Sequence, residues 1–507
     1  MSEENKDKSY SELHRPSSEF ASRSDYLDHE LQIMKPRRYG LNLPGRDFNF
    51  EWEDLVPAIA GTIGIISMYS AVMSAWAAGL SEKWGVNLGT EFAIEVARVE
   101  MLIPALLFCV VASGFINPKA NLAGNHGPMI PLIGAIALAG AHPLALALLL
   151  GVFGLILSYF KGGSKLVNLT SDGVAGGLLV FLGFGGTFSM IKDVQAWGKG
   201  LESIEHGVAA GSMGYVGLVV LAATVILYAY LAKINKRWLA IPACAVTGLV
   251  VALVCGAGFD ITFQTEMGLP NLNPVYWWGS TTEGWMLGLP NLQHFIASLP
   301  FAILAVAMWS PDFLGHRIFQ ELNYPKGTDN VLMDVDDTMT MCSIRQMVGT
   351  AVGGGNITSS WGTYMIPAAI AKRPIPGGSI ILGSLVIIIA ILGFPMDVAV
   401  WPPVMKIALL VGVFLPLLEA GMQMIKDTKD SQSAGICIFS AAVFNPVLAW
   451  ALTMLLDNNG LIGDKERAAS LSFLDKVIIP GIVLAVCLVA MLAVGMLESK
   501  YGIPALL

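Results

Sequence analysis

The chain has 507 residues, of which 54% are apolar and only 13% charged, and its net charge is −8. That charge content is about half of the roughly 25% usual in soluble domains, and no basic patch or nucleic-acid motif is present, so a soluble protein and a nucleic-acid partner are both excluded. Six cysteines (Cys109, Cys244, Cys255, Cys342, Cys437 and Cys487) are scattered through apolar runs without metal-ligand spacing. They read as small buried hydrophobes, and neither metal nor cofactor is expected.

Residues 1–50 are polar, mixed in charge, and end in Lys35-Pro36-Arg37-Arg38, the composition of a disordered or surface-lying cytoplasmic tail. No apolar stretch occurs in the first thirty residues, so no cleaved signal peptide is expected. Apolar runs then follow at 52–80, 93–113, 121–139, 142–160, 169–190, 211–232, 238–258, 293–314, 336–353, 356–371, 377–395, 398–420, 432–455 and 474–497. Runs of this length joined by short polar loops predict an all-α polytopic membrane protein with about fourteen transmembrane segments.

Lys119, Lys161, Lys165, Lys233, Lys236, Arg237, Arg317, Lys326, Lys372, Arg373, Lys426 and Lys429 fall in alternate loops. The bias of Lys and Arg toward the cytoplasm places those loops and both termini inside an inner (plasma) membrane. The loop 259–292, which has no Lys or Arg, and the loops 191–210 and 456–473 fall outside.

The runs divide into two blocks of similar length, 52–258 and 293–497. With an odd number of spans in each, the second block inserts upside down, which is a common plan of secondary transporters. The third span of each block is irregular. In the first it begins at Leu122-Ala123-Gly124-Asn125-His126-Gly127-Pro128-Met129-Ile130-Pro131, with two glycines and two prolines in ten residues. In the second it begins at Gly353-Gly354-Gly355-Asn356-Ile357-Thr358-Ser359-Ser360. Gly costs about 1 kcal/mol and Pro about 3 kcal/mol inside a helix, so each stretch reads as a helix start at membrane depth. Such backbone is tolerated only where it is buried in protein or lines a cavity. A helix N-terminus facing a cavity is an anion site.

The candidate substrate-binding residues are therefore Asn125, His126, Gly127, Met129 and Ile130 at the first start. At the second they are Asn356, Thr358, Ser359, Ser360 and Thr363. Asp312, within the eighth run, is an intramembrane carboxylate and a candidate ion-coupling group, with His316 one turn on. Glu95, Arg98 and Glu100 are expected at the outer interface, and Asp334, Asp336 and Asp337 as a solvated helix cap. Arg345 reads either as a buried ion-pair partner or as positive potential at the site. Trp277-Trp278 reads as an outer-interface marker. No paired catalytic constellation points to an enzyme.

Four motifs in this order resemble the transporter superfamily of sulphate permeases, bicarbonate transporters and nucleobase–ascorbate transporters, across most of 52–420. Ala123-Gly124-Asn125-His126-Gly127-Pro128-Met129-Ile130 resembles the Gly-Pro start of the third helix in the bicarbonate and sulphate groups. Gly163-Ser164-Lys165-Leu166-Val167 with Gly173-Val174-Ala175-Gly176-Gly177 resembles the sulphate-permease link between the fourth and fifth helices. Asp312-Phe313-Leu314-Gly315-His316 resembles the Glu-His-Ile-Gly-His pattern of the nucleobase carriers, and Gly354 to Thr363 their tenth-helix start. Thr363 stands where the nucleobase pattern has a carboxylate, which disfavours a nucleobase substrate.

The resemblance implies a 7+7 inverted repeat with a core (52–160 and 293–395) and a gate (169–258 and 398–497). It implies transport by elevator or rocking motion of one against the other, and a homodimer. The expected activity is secondary transport of a small anion, such as bicarbonate, sulphate or a small carboxylate. A charged Asp312 beside an anion argues for H⁺ or Na⁺ symport. The competing expectations are a nucleobase symporter and an anion channel. The sulphate permeases usually carry a cytoplasmic regulatory domain after the last span, whereas this chain ends about ten residues after it, at Leu507, so a stand-alone membrane domain is expected.

Overall fold

A computed structural model describes residues 9–85, 90–121, 133–198, 215–255, 262–263, 265–279, 288–353, 362–393, 395–397 and 401–504. In chain order the helices are α1 (Tyr10–Leu13), α2 (Arg23–Ile33), α3 (Leu55–Trp84), α4 (Thr90–Pro104), α5 (Ile133–Leu138), α6 (Pro143–Tyr159) and α7 (Gly162–Leu169). They continue as α8 (Asp172–Gly198), α9 (Val216–Lys233), α10 (Ala240–Val254), α11 (Pro274–Trp278), α12 (Leu292–Asn323), α13 (Val335–Ala351), α14 (Gly362–Ile370) and α15 (Ile375–Leu392). The last are α16 (Trp401–Leu409), α17 (Leu415–Met424), α18 (Thr428–Val443), α19 (Pro446–Asn458), α20 (Lys465–Ser470), α21 (Ile479–Ala493) and α22 (Met496–Tyr501). A π-helical turn continues α4 through Ala105–Ile116, and another, Leu410–Phe414, joins α16 to α17.

Among the described residues, eight helical segments are long and apolar enough to cross a membrane. The chain is a polytopic helical membrane protein. Its described extended structure is one short antiparallel pair, β1 (Thr262–Phe263) with β2 (Pro395–Asp397).

The helices form one bundle. The continuation of α4 lies along α15, and α6 lies along α13 and α12. Helix α3 packs on α14 and α15, α10 on α9 and α16, and α8 on α17 and α18. Helix α7 turns 71° from α6 and leads into α8.

Two expectations change. The run 432–455 is two helices, because Asn445 accepts from Val447 N and Leu448 N and Pro446 opens the next helix. This added break alters the parity of the chain. Asp464 meets Lys429 at 3.2 Å, Asp475 meets Lys165 at 2.7 Å, and Arg467 Nη2 donates to Leu169 O at 2.9 Å. The loop 456–473 therefore shares an end of the bundle with the loops at 161–165 and 426–429, opposite to the expectation. Tyr501 donates to Val443 O at the far end of α18. The chain's last helix thus finishes at the end opposite the one where residues 9–54 lie.

The N-terminal segment is also not a disordered tail. Tyr10, Tyr26, Leu27, Leu31, Ile33, Met34 and Phe48 are buried. Buried Glu30 accepts from Tyr10 Oη, and its other oxygen lies 2.8 Å from His14 Nδ1. Burial, followed by Glu30, raises the Tyr10 phenol far above its ordinary range, so it remains a donor.

Candidate functional site

The polar interior is built where three elements meet near the entry to the third span. Asn117 Nδ2 donates to Asp337 Oδ2 at 2.8 Å, and Asp334 N donates to Lys119 O at 2.9 Å. Asn121 N donates to Thr338 Oγ1 at 3.1 Å. The Asn121 side chain then reaches α12, where its amide lies 3.1 Å from His316 Nδ1 in a hydrogen bond. Both Asn121 and His316 are fully buried.

Asp312 lies one turn before His316, immediately after Pro311 inside α12, and is partly buried. Arg317 turns away to Glu321 (2.6 Å) and Met333 O (2.8 Å). The described structure thus brings Asp312 and His316 onto one helix and ties His316 to the chain entering the third span. Asn125, His126, Gly127, Met129 and Ile130 follow on that chain and lie outside the described residues.

At the second start, Asn356, Thr358, Ser359 and Ser360 also lie outside the described residues, whereas Thr363 opens α14. The described part of α14 is Gly362–Ile370, and Gly362 to Ala369 are buried. Thr363 is 2% exposed, and its Oγ1 has no hydrogen-bond partner among the described residues. Gly64 of α3 makes room for it: a Cβ at Gly64 would sit 2.7 Å from Thr363 Cβ, Cγ2 and Oγ1.

On the other side of the second start, Trp277 is fully buried rather than interfacial. Its indole donates to Asn271 O at 2.7 Å and packs on Gly353. Gly353 has φ 121°, and a Cβ there would lie 2.2 Å from the indole nitrogen, so this position requires glycine.

Arg345 is a buried ion-pair partner, meeting Glu100 of α4 at 3.2 Å. Glu100 is therefore interior, and so is Arg98, which donates to Ala390 O, Gly268 O and Glu95. Asp336 and Asp337 are buried as well. Asp336 accepts from Ser164 at the start of α7, and Asp337 from Arg38, Tyr39 and Asn117. Sequence reasoning missed Asn121, Trp277 and the Arg38–Asp337 pair. The asparagine had a signal, a lone amide at the edge of the irregular stretch. The pairing of Arg38 with Asp337 had none. Among the described residues no group of three His, Cys, Asp or Glu side chains could hold a metal ion.

Three solved structures are similar in fold at low identity. The overall structure of SLC26A9 has 13% identity and a TM-score of 0.46, covering 80% of this chain and 64% of that one. The murine Slc26a9 anion transporter in the inward-facing state has 13% identity and a TM-score of 0.42, covering 81% and 68%. The transmembrane domain of the cyanobacterium bicarbonate transporter BicA has 15% identity and a TM-score of 0.40, covering 80% and 95%. This chain thus spans just under two thirds of the first of these, and likeness at this level carries no functional assignment. No curated protein sequence matches the chain. A family model described as "Protein of unknown function (DUF3360)" matches residues 2–507.

Proposed function

This chain belongs to the DUF3360 family, and for it we propose secondary active transport of a small anion, held between two helix starts inside the bundle. The observation that carries this reading is α14, buried from Gly362 to Ala369, whose Thr363 hydroxyl has no hydrogen-bond partner among the described residues. A helix N-terminus inside a low-dielectric bundle attracts an anion through its free amides and dipole. Asn356, Thr358, Ser359 and Ser360 supply further donors at that start, and Asn125, His126, Gly127, Met129 and Ile130 line the opposing one.

Asp312 and His316 are the coupling groups in this reading. A charged Asp312 repels an anion, so H⁺ or Na⁺ enters with the substrate. The chain works in a cell membrane with its N-terminal segment in the cytoplasm, as a homodimer whose core moves against its gate. Two seven-span units, α3 to α10 and α12 to α19, form an inverted repeat. Paired packings support this division: the α4 continuation on α15 matches α13 on α6, and α9 on α10 matches α18 on α19. Helix α21 is then an addition outside the repeat.

The test is thermal stabilisation of the purified full-length protein by bicarbonate, sulphate, small carboxylates, uracil and xanthine, each with and without Na⁺ at two pH values. Ligand binding to the native state raises its stability by mass action. An anion-induced shift that grows with Na⁺ or acid is the expected result. A shift with a nucleobase alone moves the assignment to a nucleobase symporter, and conductance without ion coupling moves it to a channel. Bulky replacements at Asn356, Thr358 or Ser359 abolish the anion shift while leaving the yield of folded protein intact. Normal binding in all three puts the site elsewhere.

A further inference from the structure

We infer that residues 23–54 are a clamp that sets the spacing of the two half-helices of the site from the inner end of the bundle. This rests on the transport reading above and assigns it positioning residues. One jaw holds the chain that enters the third span. Gly40 N donates to Ile116 O at 3.0 Å, and Asn42 N to Phe115 O at 2.7 Å. Arg38 and Tyr39 both donate to Asp337, whose carboxylate also takes Asn117 Nδ2. Four residues further along, Asn121 reaches His316.

The second jaw holds the chain that leaves α14. Lys372 Nζ meets Asp28 Oδ2 at 2.6 Å and Ser24 Oγ at 2.8 Å. Arg373, only 2% exposed, donates through Nη2 to Asn49 O at 2.9 Å and pairs through Nε with Asp54 at 2.8 Å.

Between the jaws the segment is a closed unit. Arg23 bridges Glu51 and Glu53, and Tyr26 Oη donates to Glu51 at 2.6 Å. Leu31, Ile33, Met34 and Phe48 are buried in one apolar cluster with residues of the bundle such as Ile318, Phe319 and Leu332. Glycine-rich stretches precede α14 and open the third span, and glycine holds a backbone position weakly. A rigid body gripping both chains at their inner ends therefore supplies the reference that either alone lacks. The jaws act together, so loosening one releases the other.

The experiment compares the full-length chain with Arg38→Ala, Lys372→Met and the double variant. It reads hydrogen exchange at 115–121 and 371–375, and bicarbonate and sulphate affinity from thermal shifts. A reversed pair, Asp28→Lys with Lys372→Asp, serves as rescue. Each single variant is expected to raise exchange at both jaws and to weaken anion affinity by roughly fivefold or more, the low end of coupling between separated sites. Maximal transport rate stays near that of the unmodified chain, the double variant is little worse than either single one, and the reversed pair recovers affinity. Exchange that rises only at the jaw that was cut overturns the clamp, and so does unchanged affinity with both jaws loosened. Should the unmodified chain bind no anion, the transport reading falls, and exchange at the far jaw alone upholds or overturns the clamp.

Discussion

Buried polar side chains bind distant parts of this chain to one another, and each can be tested alone. Arg373 and Asp54 are both nearly inaccessible and face each other through two nitrogen–oxygen contacts, at 2.8 and 3.1 Å. Removing one charge leaves the other buried without its partner, which costs about 3–5 kcal/mol. Arg373→Met is expected to lower the melting temperature sharply, and Arg373→Met with Asp54→Leu to recover much of it. Equal melting of the single and double variants would mean that packing, not charge, dominates there. Asn121→Leu keeps the branching of the side chain but removes its hydrogen bond to His316, for an expected loss of about 1–3 kcal/mol in thermal or denaturant unfolding. The intramembrane candidates Asp312 and His316 were legible in the sequence because charge and imidazole are rare in apolar runs. Their neighbour Asn121 was passed over because an amide beside a loop looks ordinary until the opposing helix is known.

Helices in this bundle are defined as much by where they stop as by their apolar content. Helix α14 follows the glycine-rich stretch Gly353-Gly354-Gly355, a costly place for a helix that is read directly from the sequence. Its close approach to α3 was not legible, since Gly64 is one of several small residues along that helix. Gly64→Ala places a methyl group 2.7 Å from Thr363. Overpacking of this kind costs about 1–3 kcal/mol, and anion affinity should fall with it, both being read from thermal shifts. Thr363→Ser, which deletes one of the crowded atoms, should restore part of the stability. The break at Phe444-Asn445-Pro446 carried a legible signal, an Asn cap followed by Pro, that the apolar content of 432–455 obscured.

At the scale of the whole molecule that break decides orientation. With α18 and α19 counted separately, the chain's beginning and its last helix finish at opposite ends of the bundle. Single cysteines replacing Glu19 and Ile503, both exposed, are expected to react with an impermeant reagent from opposite sides of a sealed vesicle. Labelling from the same side would restore the even count. The N-terminal segment belongs to this scale too. Its composition is polar, yet Tyr26, Leu27, Leu31 and Met34 present one buried face, and its charges are taken up by partners 299 and 319 residues away, in Arg38–Asp337 and Asp54–Arg373.

The sequence by itself determined that this is a polytopic helical membrane protein and where most of its apolar helices run. Those properties are local: the length of an apolar run sets what must leave water, and Gly or Pro sets where a helix cannot continue. Tertiary structure alone decided which buried charges pair, that Trp277 seats on Gly353, that Glu100 and Asp337 are interior, and that residues 23–54 grip both jaws. A buried charge is tolerated only beside its partner, and no local pattern records a partner hundreds of residues distant that packing alone brings near.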